Sequence, residues 1–308
     1  MFISNQIDYV FSVWYLQEQI MSKHLNNFIN VTRINKPIGF LLLFWPCSWG
    51  LTLAYNFERD NEIFLYYIFL FFCGSVLMRS AGCIVNDIVD ENIDKKVTRT
   101  RQRPIASGSL SKILALIYVL ILCSIAFLIL IQFNFLTICL GVFSMLFAFT
   151  YPFMKRFTYW PQLFLGFTFN WGIIMAWTSI SNEMSYVPLI LYLGAIFWTL
   201  GYDTIYGLQD LSDDEIIGVK STTIKFKNNL NLFVGSCYAI SSALIFLVIA
   251  KIELGYNLIF LIFFILSLIY QMKIYKKKDP SLCLKAFKVN NFSGLFIFLS
   301  LIFTVIKI

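Results

Sequence analysis

Residues 63–94 read IFLYYIFLFFCGSVLMRSAGCIVNDIVDENID. The first part, 63–86, carries a single charge, Arg79, and is long enough to cross the hydrocarbon core of a bilayer, which takes about 20 apolar residues in a helix. The run then ends abruptly in Asn86, Asp87, Asp90, Glu91 and Asp94. Carboxylates in or beside a bilayer cost about 2.5–3.5 kcal/mol each on insertion scales and mark function where they persist. The same pattern returns at residues 186–214, YVPLILYLGAIFWTLGYDTIYGLQDLSDD, where an apolar run ends in Asp203, Asp210, Asp213 and Asp214. The interval from Asp90 to Asp210 equals that from Asp94 to Asp214, which suggests an internal duplication.

The rest of the chain is of the same kind. Of its 308 residues 59% are hydrophobic and 13% charged, with a mean hydropathy of +0.75. A soluble domain carries about 25% charged residues. Nine spans are expected, near 38–56, 63–86, 112–131, 133–151, 161–180, 186–206, 230–250, 254–275 and 286–306. Short connections such as Gln132 to Asn134 imply antiparallel neighbours. The fold class is therefore all-α: a polytopic membrane protein, a compact bundle of nine transmembrane helices. Residues 1–30 read as an N-terminal extension, cytoplasmic or a surface helix, and 31–308 as the intramembrane domain. No cleavable signal peptide is evident, and Met21 opens a more ordinary basic start.

Charge sets the orientation. With the amino terminus in the cytoplasm, only Arg59, Lys251 and Lys307 of 24 Lys and Arg fall on the outer side. Both aspartate clusters then emerge on the cytoplasmic face. The net charge of +7 fits anionic lipid headgroups, and no nucleic-acid partner is expected. A single His24 and seven cysteines without a C-x-x-C pair argue against zinc, and the cysteines are expected as small buried hydrophobes.

On a helix, Asn86, Asp90 and Asp94 at i, i+4, i+8 stack along one face. Asp203, Asp210 and Asp214 at i, i+7, i+11 do the same, with Gly207 leaving room on that face. Two such faces across a cavity would repel unless divalent cations lay between them, and all-oxygen ligands favour Mg²⁺. Basic residues follow each cluster: Lys95, Lys96, Arg99, Arg101 and Arg103 after the first, Lys220, Lys225 and Lys227 after the second. Arg79 lies seven residues before Asn86, and Lys155–Arg156 ends the fourth span. Carboxylates for metal and cations for phosphate together suggest a metal–diphosphate site. A cation-coupled transporter also gathers aspartates, but near the bilayer midplane on broken helices rather than at span ends.

These motifs resemble the UbiA superfamily of intramembrane prenyltransferases. The first cluster matches its N-D-x-x-D-x-x-x-D motif and Arg99–Gly108 its R-T-x-x-R-P-x-x-S-G extension. The second matches Y-D-T-x-Y-x-x-x-D-x-x-D-D and the stretch Gly218–Thr222. Gly207 stands where relatives often carry Ala. The segments Arg33–Gly39, Phe44–Pro46, Tyr151–Thr158, Pro161–Gln162 and Lys285–Asn291 resemble most the branch of the superfamily that prenylates 4-hydroxybenzoate. The resemblance spans about residues 28–300.

It implies an enzyme that transfers a polyprenyl group from polyprenyl diphosphate to 4-hydroxybenzoate, ortho to the hydroxyl, in ubiquinone biosynthesis. Homogentisate, dihydroxynaphthoate, haem or a chlorophyllide stand as other acceptors within the superfamily. In this reading Asn86, Asp90, Asp94, Asp210 and Asp214 hold Mg²⁺, and Arg99, Arg103, Lys155 and Lys220 contact phosphate. Asp203 orients or deprotonates the phenol. Arg33, Arg79 and Arg156 compete to pair the benzoate carboxylate, and Tyr151 and Tyr206 line the substrate site. Catalytic weight falls on Asp203, Lys155 and Arg156. The expected location is a bacterial inner membrane, with a mitochondrial inner membrane left open.

Overall fold

The computed structural model describes residues 21–56, 59–276 and 279–304. Residues 1–20, most of the expected N-terminal extension, lie outside the described residues. A first helix, α1, occupies 21–32. It is followed by α2 (Ile38–Tyr55), α3 (Asn61–Asp94), α4 (Lys112–Leu130), α5 (Phe135–Thr150), the short α6 (Met154–Phe157), α7 (Pro161–Asn170), α8 (Gly172–Ser181) and α9 (Tyr186–Tyr206). The short α10 (Leu211–Ile217) and α11 (Thr222–Lys225) lead to α12 (Leu230–Ile252), α13 (Leu258–Ile274) and α14 (Pro280–Ile302). Among the described residues eight helical stretches are long and apolar enough to cross a membrane; α13 is apolar but has 17 residues.

Helix starts follow local chemistry. Asp60 accepts the Glu62 and Ile63 amides, Ser111 that of Leu114, and Asn134 that of Thr137, each satisfying amides that the first turn leaves without a carbonyl. Pro161 and Pro280 sit in the first turns of α7 and α14, where a missing amide costs nothing.

Three stretches differ from the expected spans. α3 does not stop near 86 but runs to Asp94, so the first cluster lies on its last turns. The expected span 161–180 is two helices broken at Trp171. Asn170 is tied there to Thr199 Oγ1 at 2.8 Å, and the Trp171 indole donates to the Leu140 carbonyl at 3.0 Å. The span from 186 continues past Tyr206 through a 3₁₀ turn, Gly207–Asp210, into α10.

The main core lies where α2, α7, α8, α9, α12, α13 and α14 meet. Trp49, Ile173, Leu191, Trp198, Tyr202 and Phe264 are buried in it. α2 and α8 touch backbone to backbone: a Cβ placed on Gly50 would lie 2.3 Å from the Ile173 carbonyl oxygen. Such small-residue contacts replace hydrophobic driving force between helices in lipid. A buried polar network ties the second half of the bundle. Trp198 donates to Asn290 at 2.8 Å, Asn290 and Gln271 exchange amide bonds at 3.0 and 3.1 Å, and Tyr238 donates to Gln271 at 2.7 Å.

A smaller core holds Val31, Ala81, Ile84 and Ala115, where α1, α3 and α4 meet. Phe28 of α1 packs edge-on against Tyr118, 5.1 Å between centroids. α4 and α5 are the least buried spans, and their outer faces expose Ile113, Ile121, Phe135 and Leu146, as expected of helices bathed in lipid. The seven cysteines are free, but only Cys47, Cys83, Cys237 and Cys283 are buried. Cys139 is exposed on α5, where an apolar thiol meets lipid as readily as protein.

Candidate active site

The two aspartate clusters meet. A small cavity of about 190 Å³ is lined by Asn86, Asp90 and Asp94 from α3 and by Asp203, Asp210 and Asp214 from the end of α9, the 3₁₀ turn and α10. Arg99, Arg103, Lys155 and Lys220 complete its wall. Beside it lies a much larger cavity of about 1670 Å³. Asn86, Arg99, Arg103, Tyr151, Pro152 and Asp203 line both, so the two join at these residues. The large cavity is polar near Arg33, Lys36, Arg79 and Tyr206 and apolar between α4 and α5, at Leu120, Phe127, Val142 and Met145.

The stacking of Asn86, Asp90 and Asp94 follows from an unbroken α3. The second cluster converges for a different reason from the one expected. The chain tightens into the 3₁₀ turn at Gly207, so Asp203, Asp210 and Asp214 are not one face of a continuous helix. Nor does Gly207 make room in the cavity: a Cβ there would lie 2.5 Å from Thr223 Oγ1, so the glycine admits α11.

Basic residues cross between the halves. Arg99 grips Asp210 with two nitrogens, Nε to Oδ1 at 2.8 Å and Nη2 to Oδ2 at 2.5 Å, and lies over the Tyr206 ring at 5.6 Å. The Thr98 amide donates to Asp213 at 2.9 Å, fastening the loop after α3 onto α10. Lys155 Nζ lies 2.5 Å from Asp90 Oδ2, and its carbonyl accepts the Lys220 amide at 2.9 Å. Arg103 Nη1 donates to Asp94 at 2.8 Å and to Asp87 at 3.0 Å.

The three arginines that the sequence offered for the benzoate carboxylate stand in different places. Arg156 lines neither cavity. It donates to the Val89 carbonyl at 2.6 Å, lies 3.8 Å from Asp90, and packs over Phe153, because neighbouring positions on the short α6 point apart. The sequence placed Arg156 in the catalytic set and among the candidates for the benzoate carboxylate; in the structure it stands outside both cavities. Arg33 lines the large cavity but is paired with Asp87. Arg79 lines the same cavity over the Phe169 ring, 5.2 Å away, and enters no ion pair among the described residues. Tyr151 and Tyr206 line the large cavity as expected, and Tyr206 packs on Phe287 at 4.4 Å. Lys220 donates to the Phe157 carbonyl at 3.2 Å from the rim of the small cavity.

Lys36 was missed. It lines the large cavity just before α2; burial, and then repulsion from Arg33, Arg99 and Arg103, hold its ammonium below the ordinary lysine range. Only its place in the basic segment 33–36 marked it in the sequence.

The donors fit a hard divalent cation. They are all oxygen, and Asp90 Oδ1 is buried without a hydrogen-bond partner, which is an acceptor held ready for a positive charge. As arranged, Asp90, Asp94 and Asp210 are each paired with a protein cation. Among the described residues no three acidic, His or Cys groups close into a metal cluster.

The UbiA prenyltransferase family matches residues 43–302. The chain is 39% identical to a 4-hydroxybenzoate octaprenyltransferase of Vibrio atlanticus, covering 89% of this chain and 95% of that one. It is 43% identical to a mitochondrial 4-hydroxybenzoate polyprenyltransferase of Arabidopsis thaliana, over 71% of this chain and 52% of that protein. Among solved structures, an apo UbiA homolog from Aeropyrum pernix superposes with a TM-score of 0.73 at 22% identity, covering 86% of this chain and 98% of that one. A UbiA homolog from Archaeoglobus fulgidus bound to GPP and Mg²⁺ does so with 0.69 at 16% identity, over 90% and 99%. Opposed carboxylate clusters, their basic partners and a long apolar chamber thus agree with a match over most of the length, and the chain belongs to the UbiA prenyltransferase family.

Proposed function

We propose that this protein transfers a polyprenyl group from polyprenyl diphosphate to the ring of 4-hydroxybenzoate, ortho to the hydroxyl, as a step of ubiquinone biosynthesis. The observation that carries the reading is the junction of the two cavities. A compact chamber of acids and cations opens, at Asn86, Arg99, Arg103 and Asp203, onto a long chamber that becomes apolar away from it. That is the shape of a diphosphate joined to an isoprenoid tail. The names of the relatives at 39% and 43% identity support the acceptor.

Asn86, Asp90, Asp94, Asp210 and Asp214 would hold Mg²⁺, which supplies positive charge to the leaving diphosphate. Arg99, Arg103 and Lys155 line the small cavity and donate to the phosphate oxygens, with Lys220 at the rim. Their donors stabilise the charge that grows on the bridging oxygen as the C–O bond breaks and its electron pair leaves with the diphosphate. Arg79, which enters no ion pair among the described residues, pairs with the benzoate carboxylate. Asp203, at the junction, accepts the phenol hydrogen bond and raises the electron density of the ortho carbon. That carbon attacks the allylic cation, and its proton then passes to the departed diphosphate, which restores the aromatic ring. Tyr151, Tyr202, Tyr206 and Phe287 wall the junction with rings and exclude water that would quench the cation.

The charge bias of the loops supports a site on the cytoplasmic face of a bacterial inner membrane. The test uses membranes, Mg²⁺, labelled 4-hydroxybenzoate and a series of prenyl diphosphates. Wild type forms prenylated product, and Asp90→Ala and Asp210→Ala, inserted at normal levels, form none. Transfer near the wild-type rate in either variant refutes the ligand assignment.

A further inference from the structure

One aspartate of the first cluster is not in the site at all. Asp87 lies on α3 one residue after Asn86, is 1% exposed, and lines neither cavity. Yet it holds two residues that do. Its Oδ1 accepts from Arg33 Nη2 and, at 3.0 Å, from Arg103 Nη1, while Oδ2 has no partner. Arg33 lines the large cavity and Arg103 lines both. We infer that Asp87 is a positioning residue, a buried carboxylate that holds Arg103 at the diphosphate chamber and Arg33 at the polar end of the cavity beside it, the two guanidiniums sharing its Oδ1; the inference rests on the reading of the small cavity as a diphosphate site.

The reach of Asp87 favours this over a plain structural ion pair: one buried oxygen holds two guanidiniums from distant segments, one of them shared with Asp94. The backbone agrees: Arg33 has φ of +55°, a left-handed conformation uncommon outside glycine, kept where surrounding contacts over-determine it. Asp87 and Asp94 also differ in kind. They stand seven residues apart on one face of α3, and Arg103 Nη1 reaches both, at 3.0 and 2.8 Å. Asp94 lines the small cavity and is open to other cations; Asp87 is sealed behind the arginines. When an anion and its counter-cation enter, Arg103 loses Asp94 as a partner and keeps Asp87. Its fork then stays fixed rather than searching rotamers, and positional entropy is not spent at each binding event.

The experiment measures binding of magnesium pyrophosphate by isothermal titration of the full chain in detergent, beside steady-state transfer. Wild type is expected to bind. Asp87→Asn keeps the shape and removes the charge. It is expected to weaken pyrophosphate by about tenfold or more, as charge-assisted hydrogen bonds are worth about 1.5–3 kcal/mol and about 1.4 kcal/mol is a factor of ten. The KM for prenyl diphosphate rises in the same proportion while that for 4-hydroxybenzoate stays within about twofold, a split that general loosening of the fold would not give. In an Arg33→Gln background Asp87→Asn costs less than it does alone, since its target is already gone. Wild type failing to bind magnesium pyrophosphate overturns the diphosphate reading and the inference with it. Wild type binding while Asp87→Asn binds equally overturns the positioning role alone. If Asp87→Asn is not recovered folded, Arg33→Gln decides: an unchanged KM for prenyl diphosphate overturns the inference.

Discussion

Replacing Lys155 by Met should make this protein bind Mg²⁺ more tightly while making it less stable and less active. Lys155 Nζ sits 2.5 Å from Asp90 Oδ2, with side chains 26% and 1% exposed. It occupies the carboxylate that a metal ion would take. A charge-assisted hydrogen bond of this kind contributes about 1.5–3 kcal/mol, and a metal ion must displace it. Removing the competitor should therefore lower the Mg²⁺ concentration at half-saturation by about 10- to 100-fold. Without metal the sign reverses. Asp90 then faces a buried site with only Arg156, 3.8 Å from its other oxygen, as compensation. Breaking a fully buried pair costs about 3–5 kcal/mol; the partial exposure of Lys155 and the help from Arg156 bring this to about 2 kcal/mol. The Lys220 amide still bonds the residue 155 carbonyl, so α6 keeps its backbone anchor and the comparison isolates the ammonium. The assay is thermal unfolding in detergent, from EDTA upward through a Mg²⁺ titration, because an ion that binds only the folded state raises the midpoint as its concentration passes Kd. Wild type and Lys155→Met curves should cross. A half-saturating Mg²⁺ concentration equal to or above wild type would refute the idea that lysine and metal compete for Asp90.

Two further outcomes follow from the site and its frame. Lys36 is held below the ordinary lysine range by burial and by repulsion from three arginines, so it loses its proton, and its attraction for phosphate, at a lower pH than a free lysine would. Pyrophosphate affinity should fall as pH rises through that lowered pKa, and Lys36→Arg should move the fall to higher pH; a pH profile identical to wild type contradicts a phosphate-facing Lys36. Asn290→Ala strips the Trp198 indole of its partner and leaves the Gln271 amide nitrogen only Ser293 Oγ, at 3.3 Å. Membrane hydrogen bonds average about 0.6 kcal/mol and unsatisfied buried groups cost about 1–3 kcal/mol, so destabilisation of about 1–3 kcal/mol is expected, read as a lowered unfolding midpoint; an unchanged midpoint removes the network from the account.

The parts of this molecule that were legible in sequence are those governed by one helix at a time. Asn86, Asp90 and Asp94 stack because α3 is continuous, and fourfold spacing on a continuous helix permits no other result. The apolar runs found their helices because length against the bilayer is a one-dimensional property. What escaped depends on contacts between distant segments. The same arithmetic applied to Asp203, Asp210 and Asp214 assumed a helix that the chain abandons at Gly207, where α11 packs closely enough that Thr223 leaves no space for a Cβ. The carboxylates still converge because the 3₁₀ turn and α10 return them to the small cavity, which no spacing rule could have foretold. Lys155 and Arg156 are adjacent and chemically alike, and the sequence holds nothing to say which enters the site; the register of a four-residue helix decides, giving Lys155 to Asp90 and Arg156 to the Val89 carbonyl.

Asp87 is the sharpest case. In the motif it is one acid among four within eight residues, and motif reading treats such acids as equivalent. Its difference arises from Arg33, 54 residues earlier, and Arg103, 16 later, which close over it and take it out of the site. A carboxylate in front of the arginines can exchange its protein partner for a metal ion, whereas one behind them can only hold. The depth of each acid in the wall, and not its place in the motif, therefore sets whether it acts on the ligand or on the residues that meet the ligand. Exchange of Lys155 for metal at Asp90 and retention of Arg103 at Asp87 are two consequences of that one ordering, so metal titration of Lys155→Met and pyrophosphate titration of Asp87→Asn probe it from opposite sides.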